Sequence, residues 1–422
     1  MEQVIAEQGQ YLLNRNAYVK GSEPMIFHCH HYNVFLQMSI EDTKEYIDAY
    51  SILKDSAQEV VYAQMKNLFK STSNIDERKA IVEDHFRFAG FGLINLGQAE
   101  ANGGTVVAPS EHYAVGWKMK FGLRGENEPG VSFFTCGFLA GAIEAIYDLP
   151  LGTMETEQTK CLSKGHDVCE FQVKKRTEPV ELGISPGEGE YQTIDKYPQP
   201  KGTDVNYAGI REALINMPIE GSQDDGLINA FGVVLTRHYA NYYALVSLRT
   251  MLSMEVVFGE SGVDIVQDLL REAGHVCAFN TLGGIMESIE WDAMIKPMIK
   301  TKDDWAHGIV ACCNAMGWGV WEIGTIRPEE QTLFRATSAY ESNAFKKLYD
   351  ENTNFSTCCF VSGAVAGIMN LIYHGDISQK PTLDEDYYNA TFRSEGRFDG
   401  SQVKARSKGD EFDNFKVVRA KA

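Results

Sequence analysis

The feature that most constrains this chain is a set of glycines that recurs in register. Residues 90–97, GFGLINLG, match 317–324, GWGVWEIG, at an offset of 227, and the same offset pairs Thr105 with Thr332 and Tyr113 with Tyr340. Gly137, Gly141 and Tyr147 match Gly363, Gly367 and Tyr373 at 226, and His31-Tyr32 matches His238-Tyr239 at 207. Glycine is selected where the backbone needs positive φ or a close approach, so glycines repeated in order imply one backbone plan used twice. At 422 residues the chain is also longer than a single ordinary core needs. The expected division is a first unit over 1–177, a Pro- and Gly-rich linker over 178–202, a second unit over 203–400 and a polar tail over 401–422.

Both units read alike. An apolar, strand-like start runs into helix over 25–42 and 228–254; further helices follow over 45–69 and 75–88 in one unit, and near 263–278 and over 303–316 in the other. Strand pairs come next, 90–97 with 105–108 and 317–323 with 332–336, before a helix of small residues and a closing strand. Helices, hairpins and then a helix predict an α+β fold: two tandem antiparallel sheets covered by helices and packed as an intrachain pseudo-dimer.

The first chemistry-bearing stretch follows the small-residue helix. Cys161 and Cys169 bracket a turn at Gly165, and the alternation of Cys169, Phe171 and Val173 predicts a strand with one buried face. Such a hairpin brings both sulfurs to one end, a half-site for a thiophilic metal. A helix with Gly137-x3-Gly141, an acidic stretch, Cys161-x3-Gly165-His166-x2-Cys169 and an apolar strand together resemble the 4-vinyl reductase domain family, which is also the phenol-sensing module of some bacterial transcription activators. The resemblance implies a fold related to vesicle-tethering subunits, a buried pocket for an aromatic or hydrocarbon ligand, and zinc beside it. The implied zinc ligands are Cys161 and Cys169, with Glu157 and Cys136 as the nearest completing groups. Gln158 stands where the sensors place their Glu, and Glu128 where they place an upstream Cys. In the second unit the corresponding hairpin falls over 386–395, DYYNATFRSE, without thiol or imidazole, so this chemistry is expected once per chain.

A second constellation is 27–33, FHCHHYN. His28 and His30 share a face in an extended chain, and His28 and His31 share one in a helix. With His238 as the counterpart of His31, a structural role suits His31, and His28 with His30 are the pair for iron or another transition metal. Phe91, Tyr113, Trp117, Phe133 and Phe134 are the expected lining of a ligand pocket, loosely echoed by Trp318, Trp321, Tyr340 and Phe360 in the second unit.

A formal charge of -19 argues against nucleic-acid and anionic-membrane partners. No apolar run reaches the ~18 residues of a membrane span, and nine irregularly spaced cysteines suit reduced thiols, so a cytoplasmic location is expected. No phosphate loop, paired-carboxylate or nucleophilic-triad signature is present. The expected function is binding or sensing of a small hydrophobic, aromatic or tetrapyrrole-like ligand, with zinc at the first hairpin, by a homodimer or with a separate signalling partner. The alternative is a metal-dependent enzyme or reductase acting on a conjugated small molecule through His28 and His30.

Overall fold

The computed structural model describes residues 9–183, 191–349 and 352–420. The first half opens with strands β1 (Gln10–Leu12), β2 (Ala17–Lys20) and β3 (Glu23–Cys29), followed by helices α1 (His30–Glu41), α2 (Ala49–Leu68) and α3 (Ile75–Phe88). Strands β4 (Gly92–Asn95) and β5 (Gly103–Glu111), helices α4 (His112–Phe121) and α5 (Phe133–Ile146), and the hairpin β6 (Met154–Lys160) and β7 (Cys169–Lys175) complete it. After α6 (Tyr207–Ile215) the order repeats: β8 (Ile228–Ala230), β9 (Val233–Tyr239), α7 (Ala240–Phe258) and α8 (Glu260–Cys277). Short helices α9 (Gly283–Glu287) and α10 (Ile289–Met294) lead to α11 (Lys302–Ala315), β10 (Val320–Thr325), β11 (Thr332–Thr337), α12 (Tyr340–Tyr349), α13 (Cys359–Met369) and α14 (Glu385–Tyr388). The hairpin β12 (Phe398–Lys404) and β13 (Asp413–Arg419) closes the second half.

Two four-stranded antiparallel sheets have the same order, β4-β5-β7-β6 and β10-β11-β13-β12. Both carry a bulge at the same point of the outer hairpin, after Gln158 and after Gln402. A five-stranded sheet, β1-β2-β3-β9-β8, joins the halves. Every residue of β3 is buried, which is why EPMIFHC reads as a run rather than an alternation.

The register at the join sets the correspondence between halves. β3 and β9 are antiparallel with Phe27 opposite Arg237 and His28 opposite Thr236, so an approximate twofold axis passes between Phe27 and Arg237, and a position n on β3 corresponds to n + 210 on β9. His28, and not His31, is therefore the counterpart of His238. The repeated His-Tyr dipeptide misleads because strand pairing, not dipeptide identity, decides which side chains share an environment. The symmetry extends to docking: Phe27 N donates to Met316 O at 3.0 Å, and Arg237 N donates to Ala89 O at 2.8 Å. Each strand thus lies against the glycine turn of the other half. At Gly90, with φ 81°, a Cβ would sit 2.8 Å from Leu235 O, so the repeated glycine is a close-approach requirement.

The helices form for local reasons and are held by these approaches. Asn74 caps α3, its Oδ1 accepting from the N–H groups of Asp76 and Glu77, with those carboxylates in the first turn and His85 and Arg87 in the last. Thr301 and Asp304 form a capping box on α11. Helix α5 is buried along its whole length and crosses α2 at Gly137 and Gly141; α13 crosses α8 in the same way at Gly363. Helix α1 packs on α8 and α7 packs on α2, so each half covers the other.

Two expectations change. Residues 401–422 are no loose tail: their described part supplies most of β12 and all of β13, because the alternating Asp413, Phe415 and Val417 bury one face of the sheet. The hairpin matching 161–169 is accordingly 405–413, ARSKGDEFD against CLSKGHDVC, at an offset of 244. An insertion of 244 − 226 = 18 residues that includes α14 delays it, which is why 386–393 is helical instead. Part of the expected linker, 184–190, lies outside the described residues. Among the described residues no helix is long and apolar enough to cross a membrane.

Candidate functional site

His28 is fully buried on β3, and its ring lies inside an aromatic box. Tyr32 and Trp318 stack on it at centroid distances of 4.2 and 5.1 Å, while Tyr243, Tyr340 and Phe360 meet it edge-on at 5.0, 5.6 and 4.9 Å. Neither ring nitrogen has a hydrogen-bond partner. Burial holds its pKa well below the ordinary imidazole value, so the ring is neutral.

The axis generates a second box around His238, built from Phe91, Phe134, Tyr113 and Tyr242 where the first has Trp318, Phe360, Tyr340 and Tyr32. This one is satisfied. His238 Nδ1 accepts from Tyr239 N at 2.9 Å, leaving the proton on Nε2, which donates to the Tyr113 hydroxyl at 2.9 Å. Phe91, Tyr113 and Phe134 thus converge, as the sequence predicts, but on a filled core. Trp117 packs instead on Phe121 beneath the Arg124 guanidinium, and Phe133 stacks on Tyr50 at 4.9 Å.

The corresponding place in the second half holds a narrow cleft. Beside the His28 box, it has a cavity volume of about 20 Å³ and is lined by Tyr32, Tyr243, Ala244, Leu248, Met251, Tyr340, Phe345 and Thr357. Among the described residues Thr357 Oγ1 is buried there without a hydrogen-bond partner, and the Tyr340 hydroxyl, short of a bond of good geometry, faces the Tyr32 side chain. Tyr340 corresponds to Tyr113, whose hydroxyl accepts from His238. Glu341, also on the wall, accepts from Phe360 N at 3.1 Å and Val361 N at 3.2 Å. Burial pushes its pKa up to about 8, so at neutral pH the carboxyl carries its proton.

At the thiol hairpin, Leu162 N lies 3.4 Å from Cys169 Sγ, and Cys161 Sγ lies 3.0 Å from Ser163 Oγ. The neighbouring Cys169 holds the Cys161 thiol well below its ordinary range, while the same contact pushes Cys169 up. The buried carboxylate beside them is Glu111, whose oxygens accept from Ser132 Oγ at 2.6 Å, Thr135 Oγ1 at 2.7 Å and Ala114 N at 2.7 Å. Burial raises it to about 7. Glu157 points outward, 72% exposed, toward Lys174 at 3.6 Å, because it takes the solvent side of the β6 alternation. Cys136 is buried, with burial pushing its thiol up to about 12.

In the second half Asp413 replaces Cys169 and Ala405 replaces Cys161. Asp413 is fully hydrogen-bonded, accepting from Arg406 N at 2.9 Å, Gln402 Nε2 at 2.8 Å and Ser342 Oγ at 2.6 Å. Gln158 and Gln402 play the same part, each Oε1 accepting the N–H at the start of the small-residue helix, from Ser132 and Cys358.

The expected His pair does not form. The strand ends at Cys29 and α1 begins at His30, so neither strand nor helix periodicity spans His28 to His30 or His31. The His30 and His31 rings meet at 3.9 Å, and His30 Nδ1 accepts from Val234 N at 3.2 Å. Among the described residues no group of three His, Cys, Asp or Glu side chains is placed to hold a metal ion.

No family model matches the chain, and no curated protein matches it. Among solved structures it is similar to the crystal structure of the phenol-responsive sensory domain of the transcription activator PoxR with phenol. The TM-score is 0.32 and the identity 13%, over 41% of this chain and 87% of that one. At that level of similarity function rests on this chain's own geometry.

Thr357, Glu341 and Glu111 are residues that sequence reasoning passed over. Glu111 carries a usable signal, a carboxylate ending a strand of otherwise apolar and small residues. Thr357 carries none, since its interest lies in lacking a partner.

Proposed function

We propose that the chain binds a small, single-ring aromatic or hydrocarbon molecule bearing one polar group, in the cleft between α7 and α12, and that it serves as a ligand-responsive binding protein. The observation that carries this is the Thr357 hydroxyl, buried without a hydrogen-bond partner among the described residues on the wall of an apolar cleft, next to a Tyr340 hydroxyl whose neighbour is the Tyr32 side chain. A buried hydroxyl without a partner is costly, and a ligand hydroxyl would offset that cost while its ring meets Tyr32 and Tyr243. The protonated Glu341 is a third polar group on that wall, and His28 is a fourth behind Tyr340. The cleft itself has a cavity volume of only about 20 Å³, room for a single water, so a ring enters only as its walls move apart, and a four-ring macrocycle needs far more. The family resemblance of the thiol hairpin points to the same ligand class.

Phenol and toluene are suitable probes. Calorimetric titration is expected to show phenol preferred, and the preference lost in the Tyr340→Phe/Thr357→Val double variant, with about a fivefold drop in phenol affinity per hydroxyl removed. The same variant should be as stable as the parent or more so, since it deletes the unpartnered Thr357 hydroxyl. Equal binding of phenol and toluene by the parent would contradict the proposal. His28→Phe separates a further contribution: it is expected to stabilise the fold by about 1 kcal/mol and to weaken phenol binding.

A zinc ion at the first hairpin belongs to the same proposal. Cys161 and Cys169 would supply two thiols; among the described residues no third His, Cys, Asp or Glu side chain stands with them to complete the site, so its other ligands would be water. Glu157 does not fit, since it faces solvent, and the buried Cys136 is the nearest further thiol. Metal analysis of purified protein is expected to show zinc that is lost in Cys161→Ser/Cys169→Ser. A metal-free parent would instead make the pair a hydrogen-bonded lock of the kind Asp413 forms.

A further inference from the structure

The central sheet has two faces, and the one opposite His28 holds a cation with Glu220 as a longer-range opposite charge and no carboxylate of the described residues in ion-pair contact. Arg237 stands at the pseudo-twofold axis, facing its own counterpart position, Phe27, with the guanidinium 4.2 Å from that ring and 4.7 Å from Tyr18. Such a pairing is open only to a duplicated chain, because in a symmetric dimer the same residue would meet itself. Nε and Nη2 both donate to Ile219 O at 3.3 Å, and among the described residues Nη1 makes no hydrogen bond. No carboxylate of the described residues lies within ion-pair distance of Arg237 or of Lys20, whose ammonium sits 4.5 Å over the ring of Phe88. The corner holds three cations, Lys20, Arg87 and Arg237, against two carboxylates, Asp84 and Glu220, and Arg87 pairs with both of those. Burial lowers Arg237 to about 10, with the Tyr18 and Glu220 side chains opposing the shift.

Beside this guanidinium is a hollow of about 160 Å³, walled by Tyr18, Phe27, Leu214, Ile215 and Met316 together with Arg237. In a chain of net charge -19, an aromatic-walled hollow with a cation outside ion-pair contact is an anion site with an apolar body. We propose that this hollow binds a small organic carboxylate, its carboxyl group on Arg237 and its hydrocarbon or aromatic part against Phe27, Leu214 and Met316. The planar fork suits a carboxylate, and the stacked rings keep it in place. The site lies on the other face of the sheet from the Tyr340 cleft and does not depend on it.

The test is calorimetric titration of the full chain with benzoate and hexanoate, with benzyl alcohol as the neutral comparison. Saturable binding of at least one acid is expected, with benzyl alcohol at least about tenfold weaker. Arg237→Met should reduce acid binding by a similar factor, and Leu214→Trp, which fills the hollow and leaves the cation, should abolish it. Tyr340→Phe/Thr357→Val should leave it unchanged, which separates this site from the aromatic cleft. Absence of saturable acid binding by the parent, equal binding of the neutral alcohol, or full binding by folded Leu214→Trp would each overturn the proposal.

Discussion

Gly137→Ala is expected to cost more than about 4 kcal/mol and to leave little folded protein, as measured by urea unfolding. A Cβ at Gly137 would lie 2.0 Å from Lys54 O and 2.7 Å from Ala57 Cβ, and both belong to the helix across the crossing rather than to a side chain free to move. Relief requires α5 to slide away from α2, and α5 has no exposed residue along which to slide. Gly363→Ala should behave alike, its Cβ meeting Arg271 O at 2.0 Å. Gly125→Ala is the control: its Cβ would meet only the Glu128 side chain at 3.5 Å, and a change within about 0.5 kcal/mol is expected. Tolerance of alanine at both Gly137 and Gly363 would contradict the close crossings.

The second large effect is on stability against pH. Burial lowers His30 to about 4, His31 to about 2 and His112 to about 3, and holds His28, His85 and His238 well below the ordinary value. A base whose folded pKa is depressed stays neutral while the unfolded chain takes up a proton. Its contribution is therefore present above the unfolded pKa near 6.5 and is lost as pH falls below it, at about 1.4 kcal/mol per unit per group until the folded pKa is reached. Burial raises Glu23 and Glu341 to about 8 and Glu111 and Glu144 to about 7. An acid raised in this way favours the folded state while the unfolded carboxyl is protonated, and that support is lost as pH rises from about 4.5 to the folded value. Between 4.5 and 6.5 the two sets oppose each other; below 4.5 the imidazoles act alone and above 6.5 the carboxyls do. Urea unfolding from pH 3.5 to 8.5 is expected to show a steep loss of several kcal/mol below 4.5 and a shallower one above 6.5. A stability flat across pH 3.5 to 6 would contradict the buried neutral imidazoles.

These effects trace to features of unequal legibility. The glycines, the strand pairs and helices such as 75–88 were readable because each is set by local backbone requirements and periodicity. The α+β character and the repeated sheet followed from them. The closing hairpin was missed because the insertion around α14 breaks the constant offset on which the comparison depended, although SKG at 163–165 and 407–409 carries the register. The sequence pointed to the aromatic group of the first half, whereas the cleft proposed for the ligand lies in the second. Phe91, Tyr113 and Phe134 are the same choice of side chains as Trp318, Tyr340 and Phe360, and what distinguishes the two groups is whether the histidine bonds the tyrosine hydroxyl.

The sequence by itself determined that one backbone plan is used twice, that its helices cross at glycines, and that the thiol pair occurs in a single hairpin. Only the tertiary structure decided that β3 and β9 pair about Phe27 and Arg237. That pairing sends His28 and His238 each into the other half's aromatic core and, among the described residues, leaves Thr357 Oγ1 without a hydrogen-bond partner and Arg237 without an ion pair. The reason is physical: backbone geometry and periodicity act between near neighbours, while hydrogen-bond satisfaction and charge compensation are settled between residues some 200 positions apart.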